Sequence, residues 1–124
     1  MAGWAKDELE KFAKAEEVEI TVRRRDGSRG KPVTVWCVRS ADSLYVRSVK
    51  GRNGAWYRAV EESHEGRISA GRLGKDVKFE QADASVKQEV DSAYRSKYRR
   101  YAGPILNSCL TPEATSTTLR IVPS

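Results

Sequence analysis

The stretch GRNGAWYRAV at 51–60 gathers residue types suited to an anion and a flat ring. Arg47, Lys50 and Arg52 lie on a strand end and the turn after it. Gly51 and Gly54 free the backbone to aim N–H groups at an oxyanion, and Ser48 adds a hydroxyl. A helix predicted to start near Ala55 would point its positive dipole end at the same place. Cation, backbone donors and helix start together are what phosphate binding requires, at a spacing different from the P-loop pattern. Trp56 beside the turn and Trp36 in a β-branched run could supply faces for a ring. Tyr45 is a further flat side chain, and Tyr57 is expected to pack inside. A solvated turn with ordinary surface cations uses the same residues, so both readings stay open.

A second set lies near the C-terminus. Tyr94, Lys97, Tyr98 and Tyr101 share one side of a predicted helix. If that face borders a pocket, Lys97 would lower the pKa of the phenols beside it. Tyr94, Tyr98 and Lys97 would then be the candidate catalytic groups. The alternative is rings that pack and hydroxyls that reach water. His64, the single histidine, falls in a predicted loop, so no Ser/His/Asp or Cys/His triad can be assembled. The two cysteines, Cys37 and Cys109, form no Cys/His cluster, and no metal site is expected. Arg23, Arg24, Arg25, Arg29 and Lys31 make a basic hairpin that either helps hold an acidic ligand or stands in solvent.

These residues must be positioned by a chain of 124 residues, the size of one domain spanning 1–124. No apolar run approaches a membrane span and the N-terminus lacks an apolar signal region, so a cytoplasmic protein is expected. The net charge of +6 invites a nucleic-acid reading. Against it, Glu61, Glu62 and Glu65 directly follow the basic turn, and no RNA-binding signature appears.

The periodicity predicts a helix over 5–16, with Leu9, Phe12 and Ala13 inward and Trp4 as a staple. Strand alternation covers 18–22, a hairpin turn follows at Asp26-Gly27, and 33–40 reads as a central strand. With 44–49 these form a three-stranded antiparallel meander. A short helix over 55–62, strands at 66–70 and 75–80, and a long helix over 83–101 come next. Thr111-Pro112 starts a helical turn and 117–122 alternates as a last strand. The expected class is α+β: a small antiparallel split β-barrel of about six strands. It carries an N-terminal helix, a short middle helix and a long C-terminal helix.

The succession GSRGKPVT, VWCV, LYVRS, AWYRAV and GRISAGRLGKDVKFE resembles the FMN-binding split-barrel group. Within it, the chain is most similar to the deazaflavin-dependent nitroreductase/quinone-reductase branch. That branch usually has a longer turn with His-Pro, where this chain has only Gly51-Arg52-Asn53-Gly54. The whole chain also resembles an uncharacterised small family of about this length. Its members open on a tryptophan and short helix and close on a Tyr-rich helix and a Thr-Leu-Arg strand.

The split-barrel resemblance implies FMN or a deazaflavin as cofactor and hydride transfer to a small organic acceptor. A tyrosine hydroxyl or water would donate the proton. The cofactor-binding candidates are Arg47, Ser48, Lys50, Gly51, Arg52, Trp56 and Trp36. A cofactor-independent enzyme or binder using the barrel mouth is the first alternative, and a nucleic-acid module the second. The partner expected is a small-molecule ligand; homodimer and monomer both stay open.

Overall fold

Apolar alternation builds the sheet, and one break in it shapes the site. The computed structural model describes residues 3–124. Helix α1 (Lys6–Lys14) buries Leu9 and Phe12 and carries acids in its first turn and lysines in its last, which complements its dipole. Trp4 meets Phe12 edge-on at 5.5 Å and donates its indole N–H to the Ile121 carbonyl at 3.0 Å. Strand β1 (Val18–Val22) turns Val18, Ile20 and Val22 inward. The basic hairpin then leads into β2 (Val33–Val35), which pairs antiparallel with β1.

The predicted strand over 33–40 is interrupted at Trp36. Residues Cys37–Ser40 form a separate strand, β3, whose partner is β4 (Ser43–Val46). Helix α2 (Ala55–Ser63) follows, then β5 (Glu65–Ala70), β6 (Leu73–Gln81), α3 (Lys87–Lys97), α4 (Pro104–Asn107), α5 (Pro112–Thr115) and β7 (Leu119–Pro123). The sheet has seven strands in the order β2-β1-β5-β6-β7-β4-β3. Every ladder is antiparallel.

The expected meander is therefore corrected. The β1–β2 and β3–β4 hairpins stand at opposite edges of the sheet, and the covalent step through Trp36 joins the edges. This makes a nearly closed barrel with a seam between β2 and β3. The strand count rises above the expected six because the run 33–40 contributes two strands.

Two apolar layers result. Ile20, Leu44, Ile68, Phe79 and Ile121 fill the barrel, closed by Leu9, Phe12, Tyr57 and Val60 from α1 and α2. On the other face, Val90, Tyr94 and Tyr98 of the α3 region pack on Val38 and Tyr45. Consecutive residues Leu44, Tyr45 and Val46 are thus all buried, because both faces of β4 are covered. The long predicted helix over 83–101 is α-helical only across Lys87–Lys97, with 3₁₀ turns on either side. Thr111 caps α5 by accepting the Ala114 N–H at 3.1 Å. Among the described residues, no helix is long and apolar enough to cross a membrane.

Candidate functional site

Where β2 ends and β3 begins, the backbone loses its strand partners, and buried carbonyls need donors from elsewhere. Helix α3 and the residue after it supply them. The Tyr94 hydroxyl donates to the Trp36 carbonyl at 2.9 Å. The Lys97 ammonium donates to the Cys37 carbonyl at 2.5 Å, and the Tyr98 hydroxyl donates to the Glu16 carbonyl at 2.8 Å, with a longer contact to Cys37. The Trp36 ring stacks on Tyr98 with centroids 4.0 Å apart and planes 3° from parallel. The candidate catalytic trio thus has its polar atoms engaged in holding the seam.

The expected lowering of the phenol pKa values is not found. Burial pushes Tyr94 well above the ordinary tyrosine range, and the cation that faces its ring at 5.5 Å is Arg47. Burial likewise raises Tyr98. It lowers Lys97 and raises the Cys37 thiol to about 12. In this dry layer burial shifts each of these groups toward its neutral form.

Beside the seam lies a cleft of about 430 Å³. Val33, Val35 and Trp36 form one wall, and Ser48, Lys50, Gly54 and Trp56 another, with Tyr94, Ser108 and Cys109 also lining it. Val49 and Ile105 are the exposed large apolar side chains among the described residues, and both line this cleft. The volume is that of a small-molecule or cofactor site, apolar with a few polar groups.

The cleft corner ahead of α2 is built as follows. Gly51, at φ +68°, donates its N–H to the Ser48 carbonyl at 2.9 Å, turning the chain into α2. Gly54 precedes the helix and no side chain caps it. A Cβ at Gly54 would stand 2.5 Å from Ser48 Oγ, so glycine lets the hydroxyl and the helix start come together. Ser48 is 1% exposed, and its N–H donates to Thr117 Oγ1 at 2.8 Å. An uncapped helix N-terminus, Ser48 and the exposed Lys50 therefore line one end of the cleft.

The structure brings Trp36, Arg47, Ser48, Lys50, Trp56 and Tyr94 to this cleft and leaves Gly51, Arg52, Lys97 and Tyr98 off its lining. Gly51 packs against Glu113 instead, and Arg52 is exposed. Arg47 lines the cleft with a buried guanidinium that serves another purpose. It donates to Thr118 Oγ1 at 3.0 Å, to Asp91, and to the Cys109 and Lys87 carbonyls at 2.9 and 3.1 Å. This clamp ties the end of β4 to α3 and to the 109–118 segment, so the guanidinium of Arg47, expected to bind the cofactor, is engaged as an internal pin.

The basic hairpin is exposed and absent from this lining, and Arg24 is engaged with Ser28 and the Arg29 carbonyl. His64 ends α2 in the left-handed conformation and is exposed. Sequence reasoning missed Glu17, which lines the cleft, and Asp91, Thr117 and Thr118, which fix Arg47 and Ser48. The polar pair Thr117-Thr118 just ahead of an apolar strand was the available signal; Asp91 had none.

Comparisons with known proteins agree with this architecture. Residues 8–121 match the family described as an uncharacterized protein conserved in bacteria (DUF2255), and the chain belongs to it. No curated protein matches. Among solved structures, the chain is similar to an FAD-binding protein from Mesorhizobium loti at 18% identity and TM-score 0.60, over 98% of this chain and 91% of that one. It is similar to an F420-H2-dependent reductase at 16% identity and TM-score 0.64, over 86% and 93%. A FAD- and heme-binding protein from Mycobacterium smegmatis matches at 12% identity and TM-score 0.55, over 95% and 65%. At these identities the likeness shows the fold, and the fold is the split barrel expected from the sequence.

Proposed function

We propose that the chain binds a flavin or deazaflavin in the seam cleft and reduces a small organic acceptor there. The observation that carries this reading is the anion corner: an uncapped α2 N-terminus beside the buried Ser48 and the exposed Lys50, opening into a cleft walled by Trp36 and Trp56. These groups fit a phosphate-bearing flat ring. The α2 N–H groups and Ser48 would hold the phosphate, Lys50 would neutralise it, and the tryptophans would flank the ring. F420 is a deazaflavin, so the names of the similar structures support a ligand of this class.

When bound in reduced form, such a cofactor supplies a hydride. The chain's own contribution is placement and dryness. Tyr94 holds its proton firmly and keeps it on the Trp36 carbonyl, so its ring shapes the cleft while its hydroxyl fixes the seam. Any second proton the acceptor needs comes from water at the open cleft mouth.

The engagement of Arg47 and the distance of Arg52 from the cleft favour one competing reading. With fewer phosphate contacts than expected, the same cleft could take a small molecule without a cofactor. An absorption spectrum of the purified protein, then titration with FMN and with a deazaflavin, separates the two. A yellow protein or saturable micromolar binding supports the proposal. A colourless protein that binds neither refutes it and leaves the cofactor-free reading.

A further inference from the structure

The cleft has a second polar end. Glu17 lines it one residue before the β1–β2 ladder begins. Val18 pairs with Val35, so the next step of the register sets Glu17 across from Trp36. Its carboxylate is close enough to push the Tyr98 phenol up, and it makes no ion pair or hydrogen bond among the described residues. Arg100 pairs with the neighbouring Glu16, and Lys97 donates to the Cys37 carbonyl. Of the charged side chains lining the cleft, Arg47 is neutralised by Asp91, which leaves Lys50 at the anion corner and Glu17 at the tryptophan end.

A carboxylate beside an indole attracts a flat cation, by charge and by the ring's electron-rich face. It repels an anion. The proton-donor question points the same way. Both phenols near this end, Tyr94 and Tyr98, donate to backbone carbonyls and hold their protons tightly. A neutral acceptor needs a hydride and a proton; a cationic one needs only the hydride.

We infer that the Glu17–Trp36 end of the cleft is a subsite for a cationic planar acceptor of the iminium or pyridinium class. This rests on the proposed reading for the hydride source, a reduced flavin or deazaflavin. In the step, the donor's bond to hydrogen breaks and its electron pair forms a C–H bond on the acceptor. The acceptor's C=N⁺ π pair moves onto nitrogen. The acceptor loses its charge and takes up no proton, and the reduced cofactor, having given its hydride, releases its ring N–H proton to water and is left oxidised. The neutral product is no longer held by Glu17, which favours its release.

The test uses three pyridines of similar size: 1-methylnicotinamide as cation, nicotinamide as neutral ring and nicotinate as anion. Calorimetric titration of the wild type and of Glu17→Gln gives the ranking. A charge pair near contact in a half-exposed site changes affinity by roughly three- to tenfold. The wild type is therefore expected to bind the cation about that much more tightly than the neutral ring, and nicotinate weakest. Glu17→Gln flattens the ranking without altering thermal stability, since Glu17 is exposed and unpaired.

Equal or tighter binding of nicotinate, a ranking that survives Glu17→Gln, or no saturable binding of the cation overturns the inference. FMN and deazaflavin titrations on the same samples keep the two ideas apart. A cofactor that binds while the pyridine ranking is flat sinks the subsite alone. A charge ranking in a protein that binds neither cofactor sinks the cofactor reading and leaves a cation site.

Discussion

Replacing Arg47 by alanine should unfold much of this protein's stability margin rather than trim its ligand affinity. The Arg47 side chain is fully buried, and its ion-pair partner Asp91 is 24% exposed. Arg47→Ala would strand the Asp91 carboxylate and the Cys109 carbonyl, while the Lys87 carbonyl keeps its bond within α3 and Thr118 Oγ1 keeps its own donation to Thr115. Breaking one side of a buried, hydrogen-bonded pair costs about 3–5 kcal/mol. That is a large part of a typical 5–15 kcal/mol domain stability. At about 4 °C per kcal/mol for a chain of this size, Tm falls by roughly 12–20 °C.

Asp91→Asn keeps an acceptor in place and should cost less, about 1–2 kcal/mol. Lys50→Ala removes an exposed ammonium and should stay within about 0.5 kcal/mol of wild type. Thermal and urea unfolding followed by circular dichroism measures all three. An Arg47→Ala protein that unfolds within about 1 kcal/mol of wild type yet loses ligand binding would refute the clamp and return Arg47 to the ligand.

Ser48→Ala deletes a hydroxyl on a residue that lines the cleft and leaves its backbone bond to Thr117 in place, so Tm should hold while FMN or deazaflavin affinity drops about tenfold, read by fluorescence titration. Gly54→Ala puts a Cβ 2.5 Å from Ser48 Oγ and forces that hydroxyl to turn away; it should weaken binding as much as Ser48→Ala does, and the double variant should be no weaker than either single one. Cys37 and the two phenols are held neutral by burial, with the thiol raised from 9.0 to about 12. Their stabilisation is full below the unfolded-state values and is lost as pH rises from about 9 towards 12, with Lys97, shifted the opposite way, offsetting part of it. Tm against pH should fall across that window, and phenolate absorbance should show Tyr94 and Tyr98 ionising only with unfolding.

Much of the fold could be read from local pattern. The period-two runs at 18–22 and 75–80 and the apolar stripe Val90, Tyr94, Tyr98 announce their elements because each has one buried face. The continuous run 33–40 misleads for the same physical reason. Both of its halves are apolar and β-branched, and nothing local records that they pair with different partners. Pairing is a long-range fact: β2 answers to β1, and β3 to β4 and the α3 layer. The grouping of Ser48, Lys50 and Gly54 at the start of α2 was legible because they are neighbours in sequence. Glu17 and Asp91 reach their places only through that pairing, so spacing could not reveal them.

The hydrogen bonding of the Tyr/Lys face follows from the same break. A barrel closed by hydrogen bonds all round needs no outside donors; a split one leaves carbonyls exposed at its seam. Buried carbonyls demand partners, and the donors must come from side chains long enough to reach them and dry enough to pack. Tyrosine and lysine meet that need, with rings and methylenes in the apolar layer and a donor at the tip. Tyr94, Lys97 and Tyr98 on one face of α3 thus take the place of a missing ladder. Phenols and an amine clustered at helical spacing look like acid–base chemistry when the partner is assumed to be a substrate. Here the partner is the backbone of Trp36 and Cys37, and the cleft exists because side chains instead of a strand close that edge. In this chain, the element that keeps the barrel intact and the element that leaves room for a ligand are therefore one and the same.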